Sequence, residues 1–163
     1  MSISAKLGTD QVKDQIKIKP ITLTVGEANI KLRVRIPVKK EMEQLVEDIT
    51  NPAAEAIETA YNRLSQPILD AIKDESVAEA GKVQVKDNDL IMDGTSVRQV
   101  ATFSAMWETK VQRYFGLLQS ETGEPITESY EQIAEEFPEF VIRQIIEEIE
   151  AAIRPDYKTA KKN

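Results

Sequence analysis

A chain of 163 residues with 30% charged residues, 41% hydrophobic residues and a net charge of −7 has the composition of a soluble globular protein, not a disordered one, and the length of one domain. It has no His and no Cys, which removes the commonest general base and metal ligand, disulfides, thiol nucleophiles and thiolate metal sites. No stretch is apolar for long enough to span a bilayer, and no charged start runs into an apolar core as a secretory signal does, so the expected compartment is the cytoplasm.

Residues 1–15 are polar and without a clear period, which predicts a flexible arm. Residues 16–36 then alternate. Ile16, Ile18, Ile21, Leu23 and Val25 interleave with Lys17, Lys19, Thr22 and Thr24, and Pro20 restricts this strand to an edge or its entry. After a turn at Gly26-Glu27-Ala28-Asn29, Ile30, Leu32, Val34 and Ile36 alternate with Lys31, Arg33 and Arg35. The expected product is an antiparallel hairpin with one oily and one cationic face. Lys31, Arg33 and Arg35 are candidate partner contacts, although solvation alone explains such a face and protects an edge from aggregation. The first forty residues hold nine cations against three carboxylates, so they carry +6 and the remainder −13. That asymmetry fits steering toward a protein partner. Scattered lysines without interleaved aromatics do not favour nucleic acid.

From residue 38 the period becomes helical. Met42, Leu45, Val46 and Ile49 form one amphipathic face. Asn51 is expected to cap the next helix, with Pro52 at its first position. Ala53, Ala56, Ile57, Ala60, Tyr61 and Leu64 supply its inner face, and Pro67 is expected to kink or end it. Beyond Ala80, Val83 and Val85, then Leu90, Ile91 and Met92, flank Lys86-Asp87-Asn88-Asp89 as a minor second hairpin near 83–92. The spacing of Asp87, Asp89 and Asp93 does not match a calcium-binding loop, so turn chemistry is the reading there, and no metal or cofactor is expected.

The helical body is centred on residues 96–118. Val97, Val100, Ala101, Ser104, Trp107, Val111, Tyr114, Phe115 and Leu118 recur every three or four residues, and Ser96 with Gln99 has the form of a capping box. Phe103 and Met106 lie off that stripe, so they are either a minor core stripe or a surface awaiting a partner. After a loop at Glu121-Thr122-Gly123-Glu124-Pro125, Thr127 or Ser129 can cap a short helix carrying Tyr130, Ile133, Ala134 and Phe137, and Ser129 with Gln132 has the form of a capping box. Pro138 opens a last helix whose Val141, Ile142, Ile145, Ile146, Ile149, Ala152 and Ile153 make a broad apolar stripe. That stripe is expected to pack on the central helix, and the alternative is that Ile142, Ile146, Ile149 and Ile153 dock a helix of another chain. Residues 155–163, with Lys158, Lys161 and Lys162, are expected as a mobile basic tail.

No phosphate-binding loop is present, and adjacent carboxylates such as Glu135-Glu136 and Glu147-Glu148 point about 100° apart on a helix, so they do not share a site. These features predict a non-enzymatic binding protein. The expected fold class is α+β: an N-terminal antiparallel hairpin at 16–36, then a mainly helical body over 38–154 with the minor hairpin inside it, all one domain over 16–154.

The basic hairpin Ile21-Thr22-Leu23-Thr24-Val25 to Arg33-Val34-Arg35-Ile36-Pro37, followed by a helical body and by Phe115-Gly116-Leu117-Leu118-Gln119-Ser120-Glu121-Thr122-Gly123-Glu124-Pro125-Ile126-Thr127 before closing helices, resembles the tail assembly chaperones of long-tailed bacteriophages. The resemblance implies a helper, acting in the host cytoplasm and left out of the virion, that coats the tape measure protein and helps recruit tail tube subunits. Homo-oligomers and a frameshifted longer product fit the same picture, the latter through an A-rich stretch encoding Lys161-Lys162-Asn163. The competing reading is a structural virion component, a tail tube or head-tail joining protein, whose hairpins pair between subunits.

Overall fold

The computed structural model describes residues 1–73 and 83–154, so Ala80 and the tail lysines Lys158, Lys161 and Lys162 lie outside the described residues. The fold is α+β, with an N-terminal antiparallel hairpin followed by helices, as the periodicity predicts. The chain forms two compact units, one from Met1–Glu43 with the chain from Val111 onward and one from Gln44–Lys110.

In the first unit the polar N-terminal arm contains short helical segments: α1 (Ile3–Leu7), a 3-10 turn (Thr9–Val12) and α2 (Lys13–Lys17). Neither α1 nor the 3-10 turn buries a residue. Strands β1 (Ile18–Val25) and β2 (Ala28–Arg35) then pair with Ile21 opposite Leu32 and Leu23 opposite Ile30. The loop is only Gly26-Glu27, and Gly26 takes a positive φ of 61° while Glu27 does not, which is the Gly-X pattern of a II′ hairpin turn.

Past Val111, the end of α5 (Val97–Phe115) reaches this unit. The sequence stripe carries the helix to Leu118, but the helix stops at Phe115 and Leu118 opens β6 (Leu118–Ser120). A Cβ on Gly116 would lie 3.2 Å from the carbonyl oxygen of Arg113, so glycine permits the close approach at that stop. The free edge of β2 then supplies partners. β6 pairs antiparallel to it with Val34 opposite Leu118, giving the sheet order β1-β2-β6.

The closing helices are α6 (Tyr130–Glu136) and α7 (Glu139–Ile153). The capping box at α6 forms as its sequence predicts: Ser129 Oγ accepts from Gln132 N at 3.4 Å, and Gln132 Oε1 accepts from Ser129 N at 2.8 Å. Helix α7 lies on β1 and β2, and its Ile145 also shares a cleft with Phe115 at the end of the central helix. The physical reason is that an alternating hairpin has an oily face no strand of its own can cover, and the wide isoleucine stripe fits it. Gln144 Nε2 donates to the carbonyl oxygen of Thr24 at this contact.

The second unit holds most of α3 (Lys39–Thr50), with α4 (Ala54–Lys73), a small sheet of β3 (Val83–Lys86), β4 (Asp89–Met92) and β5 (Thr95–Ser96), and the larger part of α5. Helix α4 begins at Ala54, not at Pro52, and the Asn51 amide donates to Glu47 Oε1 at 3.0 Å instead of capping it. Pro67 does not end α4, which runs on to Lys73. The expected hairpin forms with Asp87 and Asn88 both at positive φ, the I′ geometry, and Asp93-Gly94 repeats it between β4 and β5. Arg98 ties the unit together: it pairs with Glu58, its Nε donates to the Asn88 carbonyl at 2.7 Å, and its guanidinium lies 4.1 Å from the Tyr61 ring centre.

Candidate functional site

The hairpin's period of two sends Leu23, Ile30, Leu32 and Val34 to one side of the sheet, and Lys31, Arg33 and Arg35 to the other. On the oily side α7 covers part of the face, and the remainder forms one wall of an open cleft of about 280 Å³. Leu23, Ile30 and Leu32 of the hairpin and Leu118 of β6 make that wall, with Phe115, Ile133 and Ile145 closing it. Ile145 is 4% exposed, whereas Ile30 at 43% and Phe137 at 39% stand at the mouth. The lining is therefore dry at depth and greasy at the opening.

The loop Gly123-Glu124-Pro125-Ile126-Thr127 helps build the cleft. Ser120 N donates to the Glu124 carbonyl at 2.9 Å, Gly123 N to the Ser120 carbonyl at 2.9 Å, and Glu124 N to Ser120 Oγ at 3.0 Å. Gly123 holds φ at 95°, a conformation that favours glycine, and a Cβ there would come within 3.2 Å of Arg33 Nη1. Chain reversal then aligns Pro125 with Gln119, and Ile126 N donates to the Leu118 carbonyl at 3.3 Å. This places Ile126 in the cleft lining.

The rim is polar and acidic. Glu128, in the loop before α6, and Gln132 and Glu136, one turn apart on α6, line it, and all three are exposed. Gln132 is held by the capping box, and Glu128 Oε2 accepts from Thr127 N at 2.9 Å. Such a cleft can desolvate apolar side chains and attract cations at its edge. Among the described residues, no group of three or more Asp or Glu side chains is placed to hold a metal ion.

The residues singled out from sequence scatter over the fold. Lys31 is exposed on the sheet face opposite the cleft, Arg33 sits against Gly123, and Arg35 pairs with Glu41 at 2.7 Å. Phe103, 60% exposed, and the half-buried Met106 lie on α5 within the other unit. Ile142, Ile146 and Ile149 are core residues, so they offer no free docking ridge, and Ile153 is half-buried. Sequence reasoning missed the cleft because Leu118, Ile126, Ile133 and Phe137 belong to three short segments. The one available signal was Ile133 and Phe137, four apart and followed by Pro138, on a helix too short to bury its face alone.

No protein-family model, curated protein or solved structure matches this chain.

Proposed function

We propose that the protein is a non-enzymatic tail assembly chaperone of a long-tailed bacteriophage, acting in the host cytoplasm, that binds the tape measure protein and helps recruit tail tube subunits around it. The observation that supports this reading is the open apolar cleft with its acidic rim, left between the hairpin sheet, α6 and α7 of one unit. A holder of an aggregation-prone client needs a surface that buries client apolar groups while the holder stays dispersed. Binding then lowers the free concentration of the aggregating species by mass action. A body with −7 net charge meets the second requirement. Among the described residues, no helix is long and apolar enough to cross a membrane.

Co-expression tests the reading. The soluble fraction of the tape measure protein should rise several-fold when this chain is supplied, and an unchanged fraction overturns the proposal. Purified protein that assembles into closed rings without any client favours the tail tube reading instead.

A further inference from the structure

We infer that the cleft receives apolar side chains from an amphipathic helix of the client whose anchor residues are bracketed by Lys or Arg; this rests on the chaperone reading and names the chemistry of the segment recognised. Size is the first reason. At about 280 Å³ the open cleft has room for a few apolar side chains.

Its opening is the second. Ile30 and Phe137 remain partly exposed at the mouth while Ile145 lies dry at the base, so an inserted group gains contact at every depth.

Charge selects the occupant. Glu128, in the loop that leads into α6, and Glu136, the last residue of α6, both border the cleft, with Gln132 between them in sequence. Cations flanking the apolar residues of a partner helix can meet these carboxylates while the apolar residues enter the cleft. Glu131 and Glu135 on the same short helix deepen the negative potential and disfavour acidic segments.

The test uses the full chain and two labelled synthetic helical peptides of about 18 residues, long enough to hold some helix in water. Both carry leucines on one face at successive turns, flanked by lysines in one peptide and by glutamates in its twin. The lysine-flanked peptide should bind, and its twin about tenfold more weakly by fluorescence anisotropy. Ile30→Glu, and separately the pair Glu128→Lys with Glu136→Lys, should each weaken binding on the order of tenfold. All three positions are exposed, so the thermal transition should stay in place. Equal binding of both peptides, no binding of either, or binding indifferent to these substitutions overturns the inference.

Repeating the co-expression with the same variants separates the two proposals. Variants that solubilise the tape measure protein as well as the unmodified chain sink the cleft and leave the chaperone. A chain that binds the lysine-flanked peptide but leaves the tape measure protein insoluble sinks the chaperone and leaves the cleft.

Discussion

Asp89 satisfies three donors from one carboxylate. Its Oδ1 accepts from the backbone N–H of Leu90 at 2.8 Å and of Arg98 at 2.9 Å, and its Oδ2 accepts from Ser96 Oγ. Arg98 is in the first turn of α5, where N–H groups have no helical partner, and Ser96 Oγ accepts from Gln99 N at 3.1 Å beside it. The helix start is thus capped by two side chains, of which the Ser96 half is visible in sequence. The other half is not, because Asp89 reaches it only after a chain reversal. Burial pushes the Asp89 carboxyl up, but the hydrogen bonds from Ser96, Arg98 and Leu90 and the Arg98 charge outweigh it and hold the group below the ordinary 3.8. A depressed folded-state value means that the stabilisation is fully present above the unfolded value and is lost as pH falls through the folded one. Asp89→Ala should therefore cost about 1–2 kcal/mol in urea unfolding at neutral pH, and the gap from the unmodified chain should shrink as the pH is taken down through and below the ordinary carboxylate range. A gap that stays constant across that range would show that the charge contributes nothing.

Helix α7 shows how far periodicity can be read. Its stripe is evident from the spacing of Val141, Ile142, Ile145, Ile146 and Ile149, yet what covers it is not. Ile149 is fully buried, so Ile149→Ala should lower stability by about 2–5 kcal/mol, whereas Phe103→Ala, on the exposed side of α5, should stay within about 0.5 kcal/mol. Chemical denaturation of the two variants checks this, and a Phe103→Ala penalty matching that of Ile149→Ala would contradict the burial described. The hairpin was legible because alternation over eight-residue strands and a Gly-X turn are both local signals. β6 was not. Three residues are too few to display a period, and Leu118 fits the helical stripe equally well until β2 offers it hydrogen bonds. Helix α4 continues past Pro67 for a similar reason: propensity at one residue is outweighed by tertiary packing, which buries Ala60 and Ser65 on either side of the helix.

Charge acts on the molecule as a whole. The acidic excess gives a sequence pI near 4.8, far enough below neutrality to keep copies of the chain apart by repulsion. Light scattering should therefore detect self-association as pH approaches about 4.8 and its reversal on return to neutral pH. Protein that scatters no more at its pI than at neutrality would show that apolar contacts are already covered without that repulsion.

Turn glycines, the serine caps at Ser96 and Ser129, strand alternation and helix stripes were written in the chain, because each depends on residues within a turn or two of one another and on fixed backbone geometry. The same holds for the lack of His and Cys. Which oily face meets which, by contrast, depends on pairs more than eighty positions apart, such as Val34 with Leu118, and on Leu23 sharing a cavity with Ile145. Burial is a property of both partners at once. No local pattern could tell that the isoleucines of α7 would be consumed by the sheet, while a loop, a short helix and a three-residue strand would leave an opening beside them.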